Sequence, residues 1–147
     1  MRWLLPPILF LLCLAMMALL RRLWPITALF PFPWSWLGIV PIIAGLLFGL
    51  SGFAQFRRAG TNIRPFRDAD TLVTTGPFRY SRNPMYLGLV LALLGAWVLM
   101  GALSPLLGVV IFFVTADRWY IRFEEQMLQR NFSPDYDAYR SKVRRWI

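Results

Sequence analysis

The segment Gly76-Pro-Phe-Arg-Tyr-Ser-Arg-Asn-Pro-Met-Tyr-Leu-Gly88 sets two arginines, two tyrosines and an asparagine against the start of a long apolar run. Arginine can pair with an anion, and tyrosine and asparagine can both donate and accept hydrogen bonds. After the next hydrophobic stretch stand Glu124 and Glu125, carboxylates that could hold a cation or take a proton. Charged groups at the boundary of an apolar helix are expensive unless paired or holding a ligand, so a cluster of this kind is functional by default.

For the two groups to meet, the chain must double back. Asn83 to Ala116 is an uncharged run of 34 residues; as one helix it would be about 51 Å long, against roughly 30 Å of bilayer hydrocarbon. Gly101-Ala-Leu-Ser-Pro105 supplies the break, with Ser104 as cap and Pro105 opening the second arm. Each arm is short for a straight crossing, so the hairpin tip is expected to sit shallow in the far leaflet. Folding about Leu103 brings Tyr86 level with Tyr120, each 17 residues from that centre, and Arg82 and Asn83 level with Glu124. The second arm is expected to continue to Asn131, where Asn-Phe-Ser-Pro134 stops it. On it Asp117, Tyr120, Glu124 and Leu128 share one face, while Arg118, Arg122 and Glu125 form another. The bland alternative for Arg118, Arg122 and Arg130 is an i,i+4 charge ladder on a solvated helix end.

Composition supplies the setting. With 58% hydrophobic residues and seven tryptophans in 147 residues, the chain is too apolar for a soluble domain and reads as one small integral membrane domain. The fold class expected is all-α, with about four transmembrane helices near 3–20, 36–56, 84–100 and 105–131, a helical hairpin at about 84–120, and a cytoplasmic helical extension and tail. Gly38, Gly45, Gly49 and Gly52 read as close helix packing. A secretory signal at the N-terminus is disfavoured by Pro6-Pro7, by the poor cleavage site Ala15-Met-Met-Ala18 and by the following Arg21-Arg22. The single cysteine, Cys13, rules out a disulfide within the chain. Basic residues concentrate between Arg57 and Arg82 and between Arg118 and Arg145, so both segments belong on the cytoplasmic side, Arg21-Arg22 being the exception. The net charge of +9 then reads as attachment to acidic lipid rather than to nucleic acid. The absence of histidine makes a metal site built by the protein improbable, and no glycine-rich nucleotide motif occurs.

Leu72-Val-Thr-Thr-Gly-Pro-Phe-Arg-Tyr-Ser-Arg-Asn-Pro-Met-Tyr-Leu-Gly88, followed by Glu124-Glu125, Leu128, Phe132, Tyr136, Tyr139 and the ending Val143-Arg-Arg-Trp-Ile147, resembles the isoprenylcysteine carboxyl methyltransferases and the related phospholipid N-methyltransferases. The resemblance runs from about Thr61 to the C-terminus. It implies an integral membrane enzyme that uses S-adenosyl-L-methionine, held in a cytoplasm-facing pocket at about 70–147. By that resemblance Asp70, Thr71, Leu72, Val73, Phe78, Arg82, Asn83, Pro84, Met85, Tyr86, Glu124 and Glu125 bind the cofactor, with Phe78 covering the adenine and Glu124 at the polar end. Arg82, Tyr86 and Glu124 are the catalytic candidates. Arg79, Arg122 and Arg144 are candidates for a carboxylate on the substrate. The family often has histidine where this chain has Asn83, which cannot titrate.

Methyl transfer of this kind needs mainly positioning. A carboxylate acceptor requires no general base; an amine acceptor must lose a proton, which would fall to a carboxylate, a tyrosine or water. The acceptor expected is the carboxylate of a prenylated cysteine or a similar amphipathic molecule, with a phospholipid amine as alternative. A non-enzymatic membrane scaffold or transporter subunit, in which the same charges merely pair, is the rival from another class. The tail from Ser133 either lies on the headgroup surface or forms a lid over the cofactor.

Overall fold

The structure, a computed structural model, describes residues 5–60 and 71–147. Among these residues it is helical, with a single isolated bridge between Ala28 and Ala102 in place of any strand. The helices are α1 (Pro6–Leu23), α2 (Ile39–Arg58), α3 (Pro84–Met100), α4 (Leu106–Thr115), α5 (Ile121–Phe132) and α6 (Asp135–Lys142). Proline opens α1 and α3, where its missing N–H would have had no partner. A 3-10 turn at Trp34–Gly38 leads into α2, giving an apolar rod from Trp34 to Arg58.

The break between α3 and α4 is a left-handed Gly101, φ 69°, whose N–H bonds the carbonyls of Trp97 and Val98. No β-carbon fits there without strain. Pro105 then starts the return arm, which runs through α4, a π-helical turn at Ala116–Tyr120 and α5. The connection between α1 and α2 braces the tip: Leu29 and Phe30 N–H both reach the Gly101 carbonyl, and Leu103 N–H reaches that of Thr27.

Close glycine contacts join α2 to the hairpin. α2 runs antiparallel to α3, and a β-carbon on Gly45 would lie 2.4 Å from the Gly88 carbonyl oxygen; one on Gly88 would lie 2.5 Å from that of Gly45. Gly38 and Gly95 are interlocked in the same way. Two backbones approach this closely only where neither carries a side chain. Gly108 of α4 likewise admits Met17 of α1, and Leu9, Cys13, Met17, Val90, Leu93, Val109 and Phe112 form the core among α1, α3 and α4.

The outer faces are apolar as well. α2 buries little besides Gly45 and Gly52 and leaves Val40, Ile43, Leu46, Leu47 and Leu50 exposed. Water would penalise so large an apolar surface, whereas hydrocarbon would not. Among the described residues two helical segments, Pro6–Leu23 and Trp34–Arg58, are long and apolar enough to cross a membrane; α3 is apolar but has 17 residues. α5 is the polar extension of the hairpin, carrying Arg122, Glu124, Glu125 and Arg130.

Glycine packing makes a sharp prediction. Gly88→Ala should destabilise the detergent-solubilised protein by about 1–3 kcal/mol. Gly49→Ala, whose new methyl would sit 3.9 Å from its nearest neighbour, should be neutral or stabilising; thermal unfolding followed by circular dichroism distinguishes the two.

Candidate active site

A polar cleft forms where the N-terminus of α3 meets α5 and α6. The turn Gly76–Arg79 approaches it first: Gly76 has φ +63°, and its open side receives Gln55 of α2. Phe78 is thereby buried edge-on against Phe56, ring centroids 5.1 Å apart, and its carbonyl accepts the Tyr139 hydroxyl at 2.6 Å. Ser81, fully buried, accepts the Asn83 N–H at 3.1 Å and shapes the entry to α3.

The hairpin supplies the centre. Tyr86 on α3 stacks on Tyr120 of the return arm, centroids 6.2 Å and planes 13° apart. One helical turn beyond Tyr120, the Glu124 carboxylate accepts the Tyr86 hydroxyl at 2.7 Å. Glu124 as a residue keeps some surface toward the cleft, but its carboxyl is desolvated, and this burial pushes its pKa up to about 7 despite the tyrosine hydrogen bond, which opposes the rise.

Around that pair the charges are shared. Arg82, its side chain 9% exposed, directs Nη1 both to Glu125 Oε1 and to the Tyr136 hydroxyl, each at 2.8 Å. Its Nε is buried and finds no partner among the described residues. Arg145 grips Glu125 with two nitrogens, at 3.1 and 2.5 Å, and reaches Asp117 with a third at 3.2 Å. Trp146 donates its indole N–H to the same Asp117 oxygen at 2.9 Å and stacks on Phe113. The tail also bonds α3's entry through its backbone: Arg82 N–H reaches the Arg144 carbonyl, while Ser81 Oγ and Asn83 Nδ2 reach that of Arg145. The segment after Phe132 therefore closes one side of the cleft, with Tyr136 and Tyr139 turned inward.

The empty space, counted to the open mouth, is about 570 Å³, but only about 70 Å³ of it has room for a water. Its walls divide by chemistry. Phe56, Leu72, Val73, Phe78 and Leu128 are apolar; Arg82, Asn83, Glu124, Glu125 and the two tyrosines of α6 are polar.

Of the residues singled out from the sequence, Leu72, Val73, Phe78, Arg82, Asn83, Pro84, Met85, Tyr86, Glu124 and Glu125 all line this cleft. Thr71 is exposed and does not line it, and Asp70 lies outside the described residues. Arg79, Arg122 and Arg144 are exposed and stand away from the cleft. Asp117 turns to the tail rather than joining Glu124; Glu125 pairs inward with Arg82 while still lining a groove with Arg122, and Arg118 is exposed. Phe56, Leu128, Tyr136 and Tyr139 are the additions to the lining, and Arg145 supports it from behind through Glu125. A signal for Tyr136 and Tyr139 was present in their i,i+3 spacing, which puts both on one face of a short helix.

Residues 34–135 match the phospholipid methyltransferase family. An uncharacterized protein of Haemophilus influenzae is 44% identical over 64 residues, covering the whole of that protein and 43% of this chain. The protein-S-isoprenylcysteine O-methyltransferase of Saccharomyces cerevisiae is 41% identical over 76 residues, which is 49% of this chain and 30% of the yeast protein. The chain thus covers less than a third of that relative's length. No solved structure matches.

Two predictions follow from the charges. The folded protein holds the Glu124 proton more tightly than the unfolded chain does, so this group favours folding below its ordinary range near 4.5 and loses that contribution as pH rises through about 7. Glu124→Gln, which retains an acceptor for Tyr86, should raise the thermal midpoint at pH 8, by a stability gain on the order of 1–3 kcal/mol, and leave it unchanged near pH 4. Arg145→Ala strips Glu125 and Asp117 of their shared cation. Because Arg145 is one-third exposed, the expected loss is about 1–3 kcal/mol, accompanied by faster proteolysis after Lys142.

Proposed function

The chain belongs to the phospholipid methyltransferase family, a family of membrane methyltransferases that act on lipid-related substrates, and on that premise we propose that it transfers a methyl group from S-adenosylmethionine to a lipophilic acceptor at this cleft. The observation that carries the reading is the buried Glu124 carboxyl, bonded to Tyr86 and lacking a cation among the described residues, beside the Nε of Arg82, which has no partner among them either. An acceptor for positive charge and a donor for negative charge at one end of a half-apolar cleft suit an amino acid joined to a nucleoside.

In this reading Glu124 holds the cofactor's ammonium group, Arg82 Nε serves a carboxylate, and Phe78 with Leu72, Val73 and Phe56 receives the adenine. When bound, S-adenosylmethionine supplies a methyl group made electrophilic by its sulfonium. The protein's own work is positioning: the Tyr86–Tyr120 stack and the Arg82–Glu125–Arg145 network fix the polar wall.

The acceptor we favour is the carboxylate of a prenylated cysteine or a similar amphipathic molecule, since such an acceptor needs no base. The likeness to the yeast O-methyltransferase supports this choice. A phospholipid amine is the second reading, favoured by the matched family's description and by a Glu124 poised near neutrality to take a proton. The chain in our reading crosses the membrane four times, through α1, α2, α3 and α4, with the cleft facing the cytoplasm. Net positive charge on the segments that flank the cleft supports that orientation.

Incubation of membranes carrying the protein with methyl-labelled cofactor should yield labelled lipid, and base-labile label identifies an ester while base-stable label in a headgroup identifies N-methylation. Tyr86→Phe, which removes the hydrogen bond to Glu124, should lower the rate by about 10–100-fold. Cofactor binding, read as thermal stabilisation, should weaken below pH 7 as Glu124 takes its proton, and Glu124→Gln should abolish that pH dependence. Absence of stabilisation by the cofactor or its demethylated product at any pH would favour the scaffold instead.

A further inference from the structure

At the opposite end of the hairpin, α1 and α4 leave an apolar groove of about 490 Å³. Leu20 and Trp24 form one wall, and Leu103, Leu106, Leu107 and Val110 form the other. Ser104 also lines it, 9% exposed, with a buried Oγ that has no partner among the described residues. Between the two wall residues Leu20 and Trp24 the chain carries Arg21 and Arg22, both exposed. These are the arginines whose position runs against the charge bias of the rest of the molecule.

We propose that this groove binds one phospholipid of the leaflet opposite the cleft. The proposal rests on the membrane reading above, and it accounts for the arginines at the far end by giving them a phosphate. The groups follow the order of chemistry along a lipid. Arg21 and Arg22 can extend to the headgroup phosphate. Trp24 and the Ser104 hydroxyl have N–H and O–H donors suited to the glycerol esters beneath it. Leu106, Leu107 and Val110 lie deeper along α4 and suit an acyl chain. An orphan hydroxyl in an otherwise apolar groove is costly until something accepts its proton, and an ester carbonyl does so. This lipid is distinct from a methyl acceptor, because the groove and the cleft stand at opposite ends of α3, whose 17 residues span about 26 Å.

The test is native mass spectrometry of the full chain released from a mild detergent after incubation with dioleoyl phosphatidylglycerol, dioleoylglycerol or glycerol 3-phosphate. The expected result is one retained phosphatidylglycerol, weak retention of the phosphate-free diacylglycerol, and no displacement by glycerol 3-phosphate. Leu107→Trp, at a residue 52% exposed, should fill the groove and remove the adduct. Arg21→Ala with Arg22→Ala should weaken retention by about fivefold for each arginine that meets the phosphate. Circular dichroism and the thermal midpoint check that both variants fold. Retention of the adduct by a folded Leu107→Trp protein would put the lipid elsewhere and overturn the proposal. Equal retention of dioleoylglycerol or an unchanged arginine variant would overturn the headgroup assignment, and displacement by glycerol 3-phosphate would make the ligand a soluble phosphate rather than a lipid and overturn the proposal. A protein that stays soluble and helical without detergent would instead overturn the membrane reading beneath it.

Discussion

The hydrogen bond from the Tyr86 hydroxyl to the Glu124 carboxylate joins the two arms of the hairpin at the place where apolar helix gives way to polar helix. Much of the surrounding structure is arranged to make that contact possible. Gly101 and Pro105 turn the chain, the Tyr86–Tyr120 stack sets the level of the arms, and the Gly45–Gly88 contact holds α3 against α2. Burial of a carboxyl that meets no cation among the described residues disfavours its charged form, which is why its pKa rises toward neutrality. In the reading proposed above, the ligand supplies the charge that the fold withholds.

The second carboxylate is treated in the opposite manner. Glu125 receives both Arg82 and Arg145, so its charge is satisfied by the protein and its role is architectural. Through Arg145 the same network takes in Asp117 and Trp146 and seats the C-terminal segment over the cleft. The two adjacent glutamates are thus held differently, Glu124 by a tyrosine hydroxyl and Glu125 by two arginines. Asn83 fits this scheme, since its amide anchors the tail through the Arg145 carbonyl and no titration is required of it.

Much of this was legible in the sequence because the hairpin is simple. Counting outward from Leu103 pairs Tyr86 with Tyr120, and Gly38, Gly45, Gly49 and Gly52 mark a packing face, on which Gly38 and Gly45 make the closest contacts and Gly49 the loosest. What the count misses depends on the third dimension. The π-helical turn at Ala116–Tyr120 changes the helical phase, so faces assigned from regular spacing do not carry through it. Asp117 meets the tail for that reason, whereas Arg122 and Glu125, three residues apart within α5, keep the spacing read from the sequence and line one groove. Phe56 looks like one more residue of an apolar span until the Gly76 turn brings Phe78 onto it. The choice among Arg79, Arg122, Arg144 and Arg145 was equally out of reach, since four arginines of one chemistry differ only in where the folded tail puts them.

The account turns on the coupling between Tyr86 and Glu124, which a double-mutant cycle measures directly. Thermal or denaturant unfolding of the wild type, Tyr86→Phe, Glu124→Ala and the double variant should give an interaction energy of about 0.5–3 kcal/mol, as expected of residues in contact. Additive effects of the two substitutions would mean that the arms of the hairpin do not meet at this pair, and the cleft described here would have no centre.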